Sequence, residues 1–168
     1  ELLYPENAKD TFTAQYWNEM LDQYILEISN DFENRPPVVY YVMGDVTSTN
    51  TRGNFWRYAD NWPPTHINDA WYLHGSNGLS TTYPASYSPT TYTYNPTNPV
   101  PTRGGTNLYY FAPTYAGPYD QRPVESRADV LLFTSDVLPE PYEATGRITA
   151  TLYVSSNCPD TDLSLIHI

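Results

Sequence analysis

Gly146-Arg147-Ile148-Thr149-Ala150-Thr151-Leu152-Tyr153-Val154 alternates without a break. Ile148, Ala150, Leu152 and Val154 fall on one side, and Arg147, Thr149, Thr151 and Tyr153 on the other. That two-residue period is the mark of a half-buried strand. A polar turn follows, Ser155-Ser156-Asn157-Cys158-Pro159-Asp160-Thr161-Asp162, and residues 163–168 close the sequence. The stretch predicts one strand of a β-sandwich, with no partner strand visible after it.

Composition agrees with a β-rich fold. Seventeen tyrosines favour pleated, half-buried surfaces, and sixteen prolines punctuate long connections. Hydrophobic residues make up 40% of the 168 residues and charged ones 16%, enough apolar material to build a core. The net charge of −11 argues against nucleic acid, which needs clustered Lys and Arg. Cys158 is the single cysteine, so neither an internal disulfide nor a multi-cysteine metal site is available. No apolar run is long enough for a membrane-spanning helix. Glu1-Leu2-Leu3-Tyr4-Pro5 is not a signal peptide and lacks an initiator Met, which leaves the compartment open.

Residues 11–29 predict the one helix. Phe12, Tyr16, Trp17, Met20, Leu21, Tyr24, Ile25 and Ile28 recur at three- and four-residue spacing, with Asp10 or Thr11 as cap. Pro36-Pro37 bars its continuation. No second helix follows, so the stripe's cover is expected upstream of residue 1. From there the signals turn β: strands at 38–43, 70–73, 130–134 and 147–154, joined by loops at 46–70 and 75–107. Short strands with long irregular connections predict a jelly-roll-like sandwich.

Chemistry is sparse. There is no Gly-x-Ser-x-Gly elbow, and His66, His74 and His167 lack an evident nucleophile and orienting carboxylate. Asp160-Thr161-Asp162 offers oxygen ligands for a hard cation, but turn aspartates capping backbone N–H groups are the simpler reading. Trp56, Trp62 and Trp71 could stack on sugar rings or cover the core. Asp120, Arg122, Glu125, Arg127 and Asp129 form either an Arg–carboxylate network that fixes a loop or an exposed polar stretch.

An ordered set of motifs carries a resemblance. It runs through Pro37-Val38-Val39-Tyr40-Tyr41-Val42-Met43-Gly44, Trp56-Arg57, Asn61-Trp62-Pro63-Pro64 and Trp71-Tyr72-Leu73-His74. It continues through Tyr94-Asn95-Pro96-Thr97-Asn98-Pro99, Gly104-Gly105 and Ala116-Gly117-Pro118-Tyr119-Asp120-Gln121-Arg122. Asp129-Val130-Leu131-Leu132-Phe133-Thr134-Ser135 and Pro159-Asp160-Thr161-Asp162 complete it. Over residues 1–162 the chain resembles the C-terminal domain of CocE/NonD hydrolases, a family of acyl esterases and X-Pro dipeptidyl-peptidases.

The resemblance implies a serine hydrolase whose Ser-His-Asp triad lies upstream of residue 1, acting on a small-molecule ester, amide or peptide. No cofactor and no metal are implied, and no catalytic residue falls in this chain. Residues 1–35 would be the last helix of an α/β-hydrolase domain, packed against that upstream domain. Residues 36–162 would be an incomplete, galactose-binding-like jelly roll of the X-Pro dipeptidyl-peptidase type. Asn107, Leu108 and Tyr109, after the Gly-Gly pair, would approach the mouth of the active site. Leu108 and Tyr109 are thus the candidate substrate-binding residues, with ordinary inter-domain packing as the alternative. Leu163-Ser164-Leu165-Ile166-His167-Ile168 departs from the family's pattern, and resembles either a variant strand or sequencing-adapter read-through. The expectation is a partial product truncated at both ends and inactive alone. The alternative function is a carbohydrate-binding β-sandwich.

Overall fold

The computed structural model describes residues 6–8, 13–48, 51–106 and 116–165. The chain divides into two compact units, Leu2–Ile67 and Asn68–Ile168. Among the described residues the secondary structure is mainly small antiparallel sheets, with one substantial helix.

In the first unit, α1 spans Thr13–Tyr24. Tyr16, Trp17, Met20, Leu21 and Tyr24 give it the expected apolar stripe, and Gln15 Nε2 donates to Glu19 Oε1 one turn on. The helix ends earlier than residue 29. Ile25 N–H still reaches Leu21 O, but Leu26 N–H returns to the same carbonyl and Ile28 N–H reaches back to Asp22 O. Glu27 between them is left-handed, φ +56°. The last carbonyls are satisfied by these longer bonds, so the helix unwinds.

Pro36 and Pro37 then launch β1, Val38–Val42, which pairs antiparallel with β2, Phe55–Ala59. The register sets Tyr41 opposite Trp56 and Val42 opposite Phe55. β2 corrects the sequence reading, which placed Phe55-Trp56-Arg57 in a loop. Aromatic residues favour a pleated strand when a neighbour is in register. The two strands are joined through a tight neck. Asn54, at φ +64°, donates its N–H to Val42 O at 2.6 Å, accepts from Gly44 N–H and donates Nδ2 to Asp45 O. Gly44 and Gly53 lie back to back, and a Cβ on Gly53 would sit 2.6 Å from the Gly44 Cα.

In the second unit, β3 (Tyr72–His74) pairs antiparallel with β4 (Gly78–Ser80) across a turn in which Ser76 and Asn77 have positive φ. The β3 prediction was close; β4 was read as loop. The predicted strand at 130–134 does not form. Only Thr134 engages, accepting from Leu79 N–H and donating to Asn77 O, both at 3.0 Å.

The predicted strand at 147–154 does not form either. Ile148 and Val154 are exposed and Tyr153 is 100% exposed. Alternation alone does not make a strand: its backbone groups need a partner ladder, and no strand pairs with it among the described residues. A short helix α2, Arg122–Glu125, carries Val124, the buried apolar side chain among the described residues of the second unit, as Val42 is in the first.

Candidate functional site

The residues that stand out for function lie around the Gly-Gly pair. Leu108 and Tyr109 themselves fall outside the described residues, but the base of their loop is described. Gly105 and Gly117 exchange backbone hydrogen bonds, 2.8 and 2.9 Å, and so close a neck beneath residues 106–116. All three neck glycines have positive φ: Gly104 +65°, Gly105 +81° and Gly117 +118°. Gly104 is also sterically committed, because a Cβ there would collide with Gly117 O and stand 2.7 Å from the Tyr119 ring.

Side chains extend this closure below the glycines. Arg103 Nε donates to Asp120 O at 3.0 Å, while Gln121 Nε2 donates to Arg103 O at 2.9 Å and to Tyr119 O at 3.0 Å. Asp120 stands two residues before the start of α2 and turns its side chain onto it. Its carboxylate accepts from Arg122 N–H at 3.1 Å and from the Arg122 guanidinium at 2.6–3.0 Å. Those hydrogen bonds hold the Asp120 carboxyl down to about 2.

A second fork follows the helix. Arg127 donates Nε and Nη2 to the two oxygens of Asp129 at 2.8 and 2.7 Å, and Nη2 reaches Asn98 O at 2.7 Å. Arg127 keeps the Asp129 carboxyl below the usual carboxylate range. Asp129 retains only 11% of its side-chain exposure, whereas Arg122 retains 82%. Of the two sequence readings, the loop-fixing network is the one formed at Arg127. The Arg122 end is a surface pair.

The other candidates separate. His74 Nε2 lies 2.9 Å from both Ser80 Oγ and Thr82 O. A carbonyl only accepts, so Nε2 carries the proton there and cannot take one from Ser80. Ser80 Oγ in turn accepts from Thr82 N–H at 3.2 Å. The pair is a turn device and not a nucleophile with its base. His66 is exposed, with Nδ1 2.7 Å from Pro64 O.

Asp160, Thr161 and Asp162 line an open cavity of about 290 Å³ with Tyr92 and Tyr94. Among the described residues no three His, Cys, Asp or Glu gather to hold a metal, and no helix is long and apolar enough to cross a membrane.

Trp56 is spent within the fold. Its ring packs edge-on against Tyr41 at 5.3 Å, and Nε1 donates to Asn7 O at 2.6 Å. Trp62 meets Tyr40 edge-on at 5.4 Å yet stays 56% exposed. Trp71 is half-buried against Tyr142, whose hydroxyl donates to Asp69. Sequence reasoning missed Asn7. Its Nδ2 donates to Asn54 O at 2.9 Å and its Oδ1 accepts from Tyr41 OH at 3.1 Å. Nothing in the local sequence could mark a contact that spans so many residues.

Compared with known proteins, residues 30–166 match the X-Pro dipeptidyl-peptidase C-terminal non-catalytic domain. The chain is also 40% identical over 119 residues to the cocaine esterase of Rhodococcus sp. (strain MB1 Bresler). That alignment covers 65% of this chain and 20% of the esterase, so the chain spans about a fifth of that relative's length. No solved structure matches.

Proposed function

This chain belongs to the X-Pro dipeptidyl-peptidase C-terminal non-catalytic domain family of the CocE/NonD hydrolases, and from that premise we propose that it serves a serine hydrolase without itself carrying the chemistry. The intact enzyme would cleave an ester, an amide or an X-Pro peptide through an acyl-serine. Its Ser-His-Asp triad would precede residue 1. Residues 1–35 would end the hydrolase domain, and residues 36–162 would belong to a jelly roll that closes over it. Leu108 and Tyr109 would form part of the wall of the substrate pocket.

One observation carries this reading: the match over residues 30–166 is to a domain described as non-catalytic. The chemistry of the described residues supports it. The nearest approach to a dyad, Ser80 with His74, has its imidazole proton committed to a carbonyl. Without a base or an oxyanion hole a hydroxyl has no route to rate. The neck at Gly105 and Gly117 supports a wall role, since a pocket wall must be held from below to have a shape.

The test compares the intact protein with the 168-residue chain, using p-nitrophenyl esters and a fluorophosphonate probe. The intact protein should hydrolyse the esters and become labelled on a serine upstream of residue 1, while the chain alone should do neither. Labelling within the chain, or an upstream coding sequence lacking the triad, would overturn the reading. The alternative of a carbohydrate-binding module rests on exposed Trp62. It requires saturable oligosaccharide binding by calorimetry that is lost in Trp62→Ala.

A further inference from the structure

The turn between β3 and β4 reads Gly75-Ser76-Asn77-Gly78. Asn77 is exposed and has φ +63°, a left-handed conformation that asparagine tolerates better than most residues. Among the described residues no hydrogen bond holds its side-chain amide. Its backbone carbonyl, in contrast, is engaged. It accepts from Thr134 N–H at 3.0 Å, and Leu79 N–H donates to Thr134 O at 3.0 Å. These two bonds are what ties Thr134 to the hairpin.

An asparagine amide is an electrophile within reach of the next residue's backbone nitrogen. Attack on Cγ closes a five-membered ring. A side chain on the following residue hinders that attack, and so does an amide held by hydrogen bonds. Asn77 meets neither obstacle. Gly78 has no Cβ, and Asn77-Gly78 is the one Asn-Gly pair in the sequence. Asn95 and Asn98 precede prolines, which have no N–H to lose, and Asn61 precedes the bulk of Trp62. Asn7, Asn30 and Asn54 commit their amides to hydrogen bonds within the fold. Ring closure requires Asn77 to rotate out of its left-handed conformation. A hairpin of two three-residue strands opens readily enough to permit it.

We infer that Asn77 is a site of spontaneous deamidation, and that its isoaspartyl product releases Thr134 from the hairpin. Gly78 N bonds to Asn77 Cγ, the Cγ–Nδ2 bond breaks, and ammonia leaves with the Gly78 amide proton. One water then opens the succinimide, and no oxidation or reduction takes place. Opening at Cγ gives aspartate with the main chain as before. Opening at the α-carbonyl gives isoaspartate, whose main chain runs through Cβ and Cγ. In that product the carbonyl that Thr134 N–H used has become a free carboxylate off the main chain, and the turn is one carbon longer. The two bonds to Thr134, which need Asn77 O and Leu79 N–H in register, are then no longer both available. Either product adds one negative charge to a chain that already carries −11. The inference is independent of the proposed function.

In the test, the full 168-residue chain is held at physiological temperature and neutral pH in oxygen-18 water and sampled over weeks. Peptide mapping by mass spectrometry reads conversion at each asparagine, and electron-transfer fragmentation separates isoaspartate from aspartate. Asn77 should convert first and take up the heavy oxygen, with isoaspartate among its products. Gly78→Ala should abolish that lead without disturbing the hairpin. Gly78 has φ −81°, and an added Cβ would stand 3.5 Å from His74 Cβ and 3.9 Å from Gly75 O, ordinary contact distances. Another asparagine converting ahead of Asn77, or an unchanged rate in Gly78→Ala, overturns the site. Conversion confined to urea-unfolded chain also overturns it, since the folded turn would then be protected.

Hydrogen exchange at the Thr134 amide tests the release. Exchange should rise in the isolated isoaspartyl form and stay slow in Asn77→Asp, which adds the charge without the extra carbon. Equal protection in the two forms overturns the release. Equal loss in both would assign it to charge and overturns it as well.

Discussion

Replacing Gly104 with alanine should open the neck beneath residues 106–116. Gly104 has φ +65°, a conformation that costs an L-residue about 1–2 kcal/mol. Its new Cβ would also collide with Gly117 O and crowd the Tyr119 ring at 2.7 Å. A carbonyl has no flexible end to swing aside, so the Gly105–Gly117 pair must separate. Two backbone hydrogen bonds are lost, each contributing about 0.5–1.5 kcal/mol net. The sum is about 2–5 kcal/mol, a large part of the stability of an ordinary domain.

Gly105 supplies the internal control. Its φ is +81°, but nothing lies within 4 Å of where a Cβ would stand, so Gly105→Ala should cost only about 1–2 kcal/mol. Urea unfolding followed by tryptophan fluorescence gives both values. Hydrogen exchange at the Gly105 and Gly117 amides localises the effect, with exchange rising about a hundredfold or more in Gly104→Ala. Equal losses in the two variants would refute the collision argument. Unchanged exchange at Gly117 in Gly104→Ala would refute the neck.

Three further outcomes are expected. The Asp120, Asp129 and Asp45 carboxyls all titrate below their ordinary value in the folded chain, so their stabilising contribution is present above about pH 4. It is lost as pH falls toward about 2; urea midpoints at pH 5 and pH 3 should differ, and by less in Asp129→Asn. Arg127→Ala should lower the urea midpoint more than Arg122→Ala does, because it releases Asn98 O and strands a shielded carboxylate, whereas Arg122 belongs to an exposed pair; equal shifts would refute the distinction. If the intact protein hydrolyses esters as proposed, Ser80→Ala should leave that hydrolysis unchanged, and a large loss of kcat would return the Ser80–His74 pair to consideration.

Helix α1 and strand β1 were legible because both carry their signal locally. The apolar stripe with its Pro-Pro stop marks one, and a β-branched and aromatic run before Gly44 marks the other. Residues 147–154 show the limit of such reading. Their alternation is perfect, yet a strand is made by its neighbour, and the period of a sequence does not report whether a neighbour is in register. β2 failed in the opposite direction: Phe55-Trp56-Arg57 fell within a predicted loop, yet Val42, Tyr41 and Tyr40 stand opposite in register and make it a strand.

At the site, the glycines and the Asp120–Arg122 pair were visible as motifs. The Arg103–Gln121 exchange was not, because a glutamine bonding two carbonyls leaves no mark in spacing. Asn7 was invisible for the same reason at longer range.

The back-to-back packing of Gly44 and Gly53 bears on how this region can change over time. Because the chain is pinched at that point, the hairpin's register is held by the strands and the glycine pair and not by the connection between them. Lengthening such a loop twofold adds only about 0.6 kcal/mol of closure entropy. The connection is thus open to insertion and rewriting while the sheet beneath it keeps its pairing. The two glycines are the positions where substitution should be tolerated least, since a side chain on either would push the strands apart from within.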